Sequence, residues 1–181
     1  MTRPRRRGPH VPALLTALIT ALAFGLGGCS QPADQDYTSV TTGMLVVDRP
    51  AGWQDVIPVQ APWAVGFRPT PTAVEQIQLS GDFGHFVTAG EAVGSLIGQA
   101  QVGLKEFHVV ETRDLTVQGA TTAQVVRYTI TDNQDSQLSG EWIVANQWPA
   151  QQSAAVSILT PQYQPDLERR VVDSMRFSPK S

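Results

Sequence analysis

The ten residues TAQVVRYTIT, from Thr122 to Thr131, decide the fold of this chain. Val126, Tyr128 and Ile130 share one parity, and Val125, Arg127 and Thr129 share the other. Successive side chains of a strand point to opposite faces, and β-branched and aromatic residues suit a pleated surface. The run therefore predicts a strand. The same period of two extends outward on both sides. Upstream, Phe107 to Glu111 alternates, and Leu115 and Val117 carry that strand to a turn at Gln118-Gly119. Downstream, Asp132-Asn133-Gln134-Asp135 is a polar turn and Glu141 to Trp148 the next strand. Pro149-Ala150-Gln151-Gln152 then turns the chain into Ala154 to Leu159. Four strands in succession with short connections predict an antiparallel meander.

Helices flank the meander. Thr88 and Glu91 form a T-x-x-E capping box, in which two orphan backbone donors are satisfied reciprocally. Val93, Leu96, Ile97, Ala100 and Leu104 follow at helical spacing as one apolar stripe. Gly90, Gly94 and Gly98 recur every four residues. In a bilayer such a series suggests helix dimerisation. Here Glu91, Ser95 and Gln99 interrupt the apolar surface, so the expectation is close packing of the helix on a sheet. Each glycine costs about 1 kcal/mol of helix propensity against alanine, so this helix depends on packing. After Pro161, Pro165 suits the first turn of a second helix, where its missing N–H is not needed. Asp166 and Glu168 complement the positive end of that helix, and Leu167, Val171, Val172 and Met175 form its buried stripe. Phe177 adds a terminal strand residue. Before the first helix, Met44 to Val47, Trp63 to Phe67 and Val74 to Leu79 read as short strands bounded by prolines and turns. Trp53 follows the Pro50-Ala51-Gly52 turn, in position to fold back over a core. The fold class is α+β, an antiparallel β-sheet with helices packed on its faces.

Residues 1–28 have the layout of a secretory signal: Arg3, Arg5, Arg6 and Arg7, then an apolar stretch from Val11 to Phe24 broken by Thr16 and Thr20. Leu26-Gly27-Gly28-Cys29 closes it, and Cys29 is the sole cysteine. An apolar residue and two small ones before cysteine match the bacterial lipobox, at which the signal is removed and the thiol acylated. Two or three chains anchor stably where one does so marginally, since each buried CH₂ contributes roughly 0.8 kcal/mol. A retained membrane helix is the other reading; Pro12, the Gly25-Leu26-Gly27-Gly28 end and the placement of the cysteine oppose it. Residues 29–42 read as a lipidated flexible tether, and residues 43–181 as one globular domain.

Composition narrows the partners. Of the 13 Lys+Arg, four lie in the signal, leaving nine against 16 Asp+Glu, a mature net charge of −7. An acidic domain with no basic stripe is repelled by nucleic acid, so none is expected as a partner. With its one thiol acylated, it has neither disulfide nor thiolate chemistry.

The Pro50-Ala51-Gly52-Trp53 turn, the Leu115-Thr116-Val117-Gln118-Gly119-Ala120 hairpin entry and the closing Val171-Val172-Asp173-Ser174-Met175-Arg176-Phe177 carry a family resemblance. In these motifs and in the order of its elements the chain resembles the actinobacterial LpqN/LpqT-type lipoproteins, of the PsbP-like α/β/α sandwich fold. The resemblance spans roughly Met44 to Phe177. It implies a cell-envelope binding or assembly factor and brings no catalytic residues with it.

A search for chemistry finds little. Asp82 and His85, in the turn-like Gly81-Asp82-Phe83-Gly84-His85, have the residue types for an acid–base pair or two metal ligands. His108 lies on an alternating strand near Glu106. Neither histidine has the spacing of an H-E-x-x-H or paired-cysteine site. No serine sits in a nucleophile elbow, and no glycine-rich loop joins a strand to a helix. Asp132, Asp135 and Glu141 read as a solvated turn, without the spacing or glycine of a calcium loop. Neither a catalytic residue, a metal ligand nor a cofactor is expected. The aromatics offer more. Trp142 and Trp148 share a parity with Val144 between them, either as core or as the floor of a groove between helix and sheet. With Trp53 they form the candidate binding surface. The expected function is a membrane-anchored, extracytoplasmic binding or adaptor domain without enzymatic activity, engaging an envelope protein. A carrier or sensor of an apolar envelope lipid or glycolipid is the alternative.

Overall fold

The computed structural model describes residues 36–177. The expected signal of residues 1–28, the expected lipobox residues Leu26, Gly27 and Gly28, and Cys29 lie outside the described residues. Among the described residues, ten strands and two helices follow one another: β1 Tyr37–Thr42, β2 Leu45–Pro50, β3 Asp55–Ile57, β4 Val65–Arg68, β5 Gln76–Gly84, α1 Ala89–Gly103, β6 His108–Leu115, β7 Thr122–Thr131, β8 Gln137–Gln147, β9 Gln152–Thr160, α2 Pro165–Ser174 and β10 Arg176–Phe177. The fold is α+β. A seven-stranded sheet runs in the order β3-β4-β5-β9-β8-β7-β6, and a three-stranded sheet in the order β1-β2-β10. Every ladder in both is antiparallel. The expected meander is β6 to β9.

The run that opens the sequence reading is β7, with the bounds expected of it. Its two parities feed two cores. Val125 lies opposite Ile143, Ile143 opposite Val156, Val156 opposite Leu79 and Leu79 opposite Val65, one apolar row across five strands. This row faces β2, α2 and Phe177 in the first core. Val126 and Tyr128 face the other way, with Trp142, Val144 and Ala155, under α1. The layers are thus α1, the large sheet, then the small sheet with α2.

Local chemistry fixes the helix ends. Thr88 Oγ1 accepts from Glu91 N at 3.2 Å, and Glu91 Oε2 accepts from Val87 N at 2.8 Å, one residue ahead of the cap itself. Thr122 Oγ1 accepts from Ala89 N at 2.9 Å, which ties the start of α1 to the start of β7. In α2, Pro165 occupies the first turn with Asp166 and Glu168.

Four expectations are corrected. The tether does not extend to Thr42: Tyr37–Thr42 is a strand, and Tyr37 and Val40 pack against the first core. Threonine-rich YTSVTT has the composition of a tether but also the β-branching of an edge strand. Gly81 to Gly84 is no turn but the end of β5. The glycine row of α1 does not face the sheet. Gly94 and Gly98 are exposed, and a Cβ at either would meet nothing within 4 Å. Ala89, Ala92, Val93, Leu96 and Ala100 make the contact instead, so it is alanines that allow the close approach. Finally, Glu141 belongs to β8 and is 3 % exposed, not part of a solvated turn.

Candidate binding groove and a buried charge cluster

Between the second half of α1 and the large sheet lies an open cleft of about 320 Å³. Its helix wall is Leu96, Gln99, Ala100, Gly103 and Leu104; its floor is Tyr128, Ile130 and Trp142. Gln76, Gln78 and Ser157 bring polar groups from β5 and β9, and Trp63 also lines it. The floor follows from register: Trp142 lies opposite Ser157 and Ser157 opposite Gln78, so their side chains share one face. Tyr128 lies opposite Gly140, where the missing side chain leaves room for the Tyr128 ring. The Tyr128 and Trp142 ring centroids are 4.1 Å apart, with Phe107 at 5.3 Å and 5.7 Å from them. Burial pushes the Tyr128 phenol well above its usual range, so its hydroxyl stays neutral, hydrogen-bonded to Ser157. A cleft of mixed polar and apolar lining, with nearly buried aromatic rings at its floor, has the size of a small-molecule site, which is typically about 300–1,000 Å³.

Of the three tryptophans expected to form a binding surface, only Trp142 reaches this cleft. Trp53 is buried in the first core, on the opposite face of the large sheet, and its carbonyl accepts from Arg49 Nη1 at 2.5 Å. Trp148 lies past the end of β8 and is 47 % exposed. Its parity with Trp142 lapses because β8 ends at Gln147 and the chain turns. Trp63, Gln76 and Gln78 were not singled out by sequence; the alternation of β5 is visible there, but its pairing with β9 is not.

The opposite face holds the charged groups. Glu141 lies opposite Arg127 on β7, beneath Glu168 of α2. Arg113 pairs with Glu168, and Arg127 with Glu111. Tyr163 Oη donates to Glu168 Oε2 at 3.1 Å, and the Arg127 guanidinium stands 4.2 Å above the Tyr163 ring. Both arginines are thus engaged by other carboxylates, and Glu141 Oε2 is buried without a hydrogen-bond partner. Desolvation, and then the neighbouring Glu168 carboxylate, raise the Glu141 pKa to about 8 against the pull of Arg127 and Arg113. The Glu141 carboxyl is therefore largely protonated at neutral pH. A second cleft, of about 290 Å³, opens beside Arg127 and Tyr163, with Val110, Thr129 and Leu138 among its walls.

The acid–base pair considered for Asp82 and His85 is not formed. Both are exposed; His85 Nδ1 lies 3.2 Å from the Gln151 carbonyl, and among the described residues no carboxylate forms an ion pair with it. Among the described residues, no three His, Cys, Asp or Glu side chains are placed to hold a metal ion. Asp132 accepts from Gln134 N and Ser136 N, both at 2.8 Å, and so closes its own turn. Among the described residues, no helix is long and apolar enough to cross a membrane.

These features define a class: an antiparallel α+β domain with one helix over an aromatic cleft and a small sheet and helix on the reverse face. The chain is similar in structure to LpqN, which is involved in cell envelope biogenesis of Mycobacterium tuberculosis. The TM-score is 0.50 at 11% identity, over 81% of this chain and 92% of that one. At that identity the likeness is one of fold, and the fold relation to LpqN anticipated from sequence is present. No family model matches the chain, and no curated protein does.

Proposed function

We propose that this protein is an extracytoplasmic binding domain of the cell envelope, held to the membrane through lipid on Cys29, which acts by binding rather than catalysis. The ligand is the apolar chain of an envelope lipid or glycolipid, taken up in the cleft beneath α1. The cleft carries this reading: an aromatic floor of Tyr128 and Trp142, an aliphatic wall of Leu96 and Leu104, and Gln76, Gln78 and Ser157 to meet a polar head. Covering the apolar part of an open cleft with a chain gains free energy, while the polar part can bond to a head group. The fold shared with an envelope-biogenesis protein and the lipobox at Cys29 support the cellular setting. A second reading, docking of an envelope protein, has support at the end of the cleft that Leu104 also lines. Val102, Leu104, Val109 and Val110 are all exposed and lie within nine residues of sequence at the C-terminal end of α1 and the start of β6.

Native mass spectrometry of the full chain extracted from membranes tests the ligand. Bound lipid in excess of the Cys29 modification is expected, and brominated acyl chains should quench the fluorescence of Trp142 and Trp63. Gly103→Leu, which adds a side chain in open space on the wall of the cleft, should weaken both signals. Quenching confined to Trp148 would place the lipid on the surface and refute the cleft. Metabolic labelling with fatty acid should mark the chain and be lost in Cys29→Ser.

A further inference from the structure

Among the described residues, the large sheet ends at β6, and no strand lies beside its outer edge. Among the described residues, no backbone group of His108–Leu115 bonds to any backbone but that of β7. Such a row of unpaired N–H and C=O groups is a template for another strand, and soluble proteins usually shorten it, cover it, bulge it, or place charges or proline in it. This edge is eight residues long and contains no proline. The principal contacts of α1 are with β7 and β8 and those of α2 with β2, so neither helix packs across it. A bulge falls between Val109 and Glu111; beyond it, Glu111 to Leu115 run regularly opposite Arg127 to Ala123.

We propose that β6 pairs antiparallel with β6 of a second copy of this chain, about a two-fold axis at Thr112, so that two seven-stranded sheets become one. The register follows from geometry and charge. Alternate residues of a strand direct both backbone groups to the same side, so a symmetric antiparallel pair matches residues of like parity. The axis then falls on a residue. An axis at Glu111 sets carboxylate against carboxylate, and one at Arg113 sets guanidinium against guanidinium; both are repulsive. An axis at Thr112 sets Glu111 opposite Arg113 of the partner subunit, twice. These side chains share one face of the sheet and are 40 % and 45 % exposed, free enough to pair across the axis while they hold Arg127 and Glu168 within their own copy. The same register sets the exposed Val109 opposite Leu115 of the partner subunit and Val110 opposite Asp114 of the partner subunit, at both ends of the ladder. β6 thus carries a self-complementary charge pattern on an open edge.

The test uses the full chain in detergent. Light scattering should give the mass of two chains. Opposite residues of an antiparallel pair lie about 4.5–5.5 Å apart at Cα, inside the range of about 4.4–6.8 Å that a disulfide spans. Thr112→Cys should therefore crosslink the dimer under mild oxidation. Val56→Cys, on the far edge of the sheet, should not, and the unsubstituted chain controls for Cys29. Glu111→Arg places like charges opposite each other twice and should weaken dimerisation by about tenfold. Adding Arg113→Glu to it should restore the dimer, since the swapped charges remain unlike. A single-chain mass at all concentrations overturns the proposal. So does a Thr112→Cys crosslink to some other protein, or a double charge swap no better than the single one in chains whose near-ultraviolet circular dichroism is native.

Discussion

Replacing Glu141 by glutamine isolates the energetic effect of one buried carboxyl. In the folded chain it is 3 % exposed and its pKa is about 8, against 4.5 ordinarily. Between those two values the native state holds a proton that the unfolded chain has released. Raising the pH through that window therefore favours unfolding, by about 1.4 kcal/mol per pH unit for this group. Over the whole window the loss is of the order of 4–5 kcal/mol, comparable with the entire stability of a small domain. It is complete above pH 8, where both states are ionised, and absent below pH 4.5. Glu141→Gln keeps the shape and removes the titration. Its amide places donors where Glu141 Oε2 has no partner, a cost of about 1–3 kcal/mol that does not vary with pH. Urea unfolding of both chains, followed by tryptophan fluorescence from pH 5 to pH 9, provides the comparison. The variant should start less stable at pH 5, gain on the parent with each unit, cross it, and level off above pH 8. Taking the difference between the two chains cancels the other carboxylates. A difference that stays flat from pH 5 to pH 9 would refute the buried, unpaired description of Glu141.

Three further outcomes are expected from the same unfolding assay. Gly140→Val should destabilise by 2 kcal/mol or more (order ~2–4), because a Cβ there falls inside the Tyr128 ring, and the displaced ring also disturbs the floor of the cleft. Gly94→Ala and Gly98→Ala should each stabilise by about 0.5–1 kcal/mol, as helix propensity dictates where the new methyl meets open space; losses would show that these glycines face a neighbour after all. Thr88→Ala removes the acceptor for Glu91 N and should cost about 1 kcal/mol, with amide exchange rising first in the opening turn of α1.

Much of the architecture is legible in the order of the residues because both faces of β7 are covered. A strand buried on two sides must place bulky side chains at both parities, and Val125 and Val126 advertise that. The C-terminal helix is equally plain from Pro165, Asp166 and its apolar stripe. What escapes is whatever depends on a partner distant in sequence. Tyr37–Thr42 becomes a strand only because β2 lies beside it, with Tyr37 opposite Pro50 and Thr42 opposite Leu45. Glu141 follows closely on a polar turn and looks solvated; its burial comes from α2, more than twenty residues away. The cleft floor was half visible. Trp142 could be placed between helix and sheet, whereas Trp63 and the glutamines of β5 depend on the pairing of β5 with β9. Trp148 misled because parity holds only as far as the strand does, and the glycines of α1 misled because absent side chains favour neither the covered nor the open side of a helix.

The position of β1 has a mechanical corollary. It is an outer strand of the three-stranded sheet, and the chain enters it from Asp36, with the Arg170 guanidinium 5.1 Å above the Tyr37 ring at the point of entry. A pull on the chain ahead of Asp36 would load that ring and its six-residue ladder before any other part of the domain. β1 should therefore peel away at low force as a separate early step, a shock absorber that leaves the seven-stranded sheet and its aromatic cleft intact.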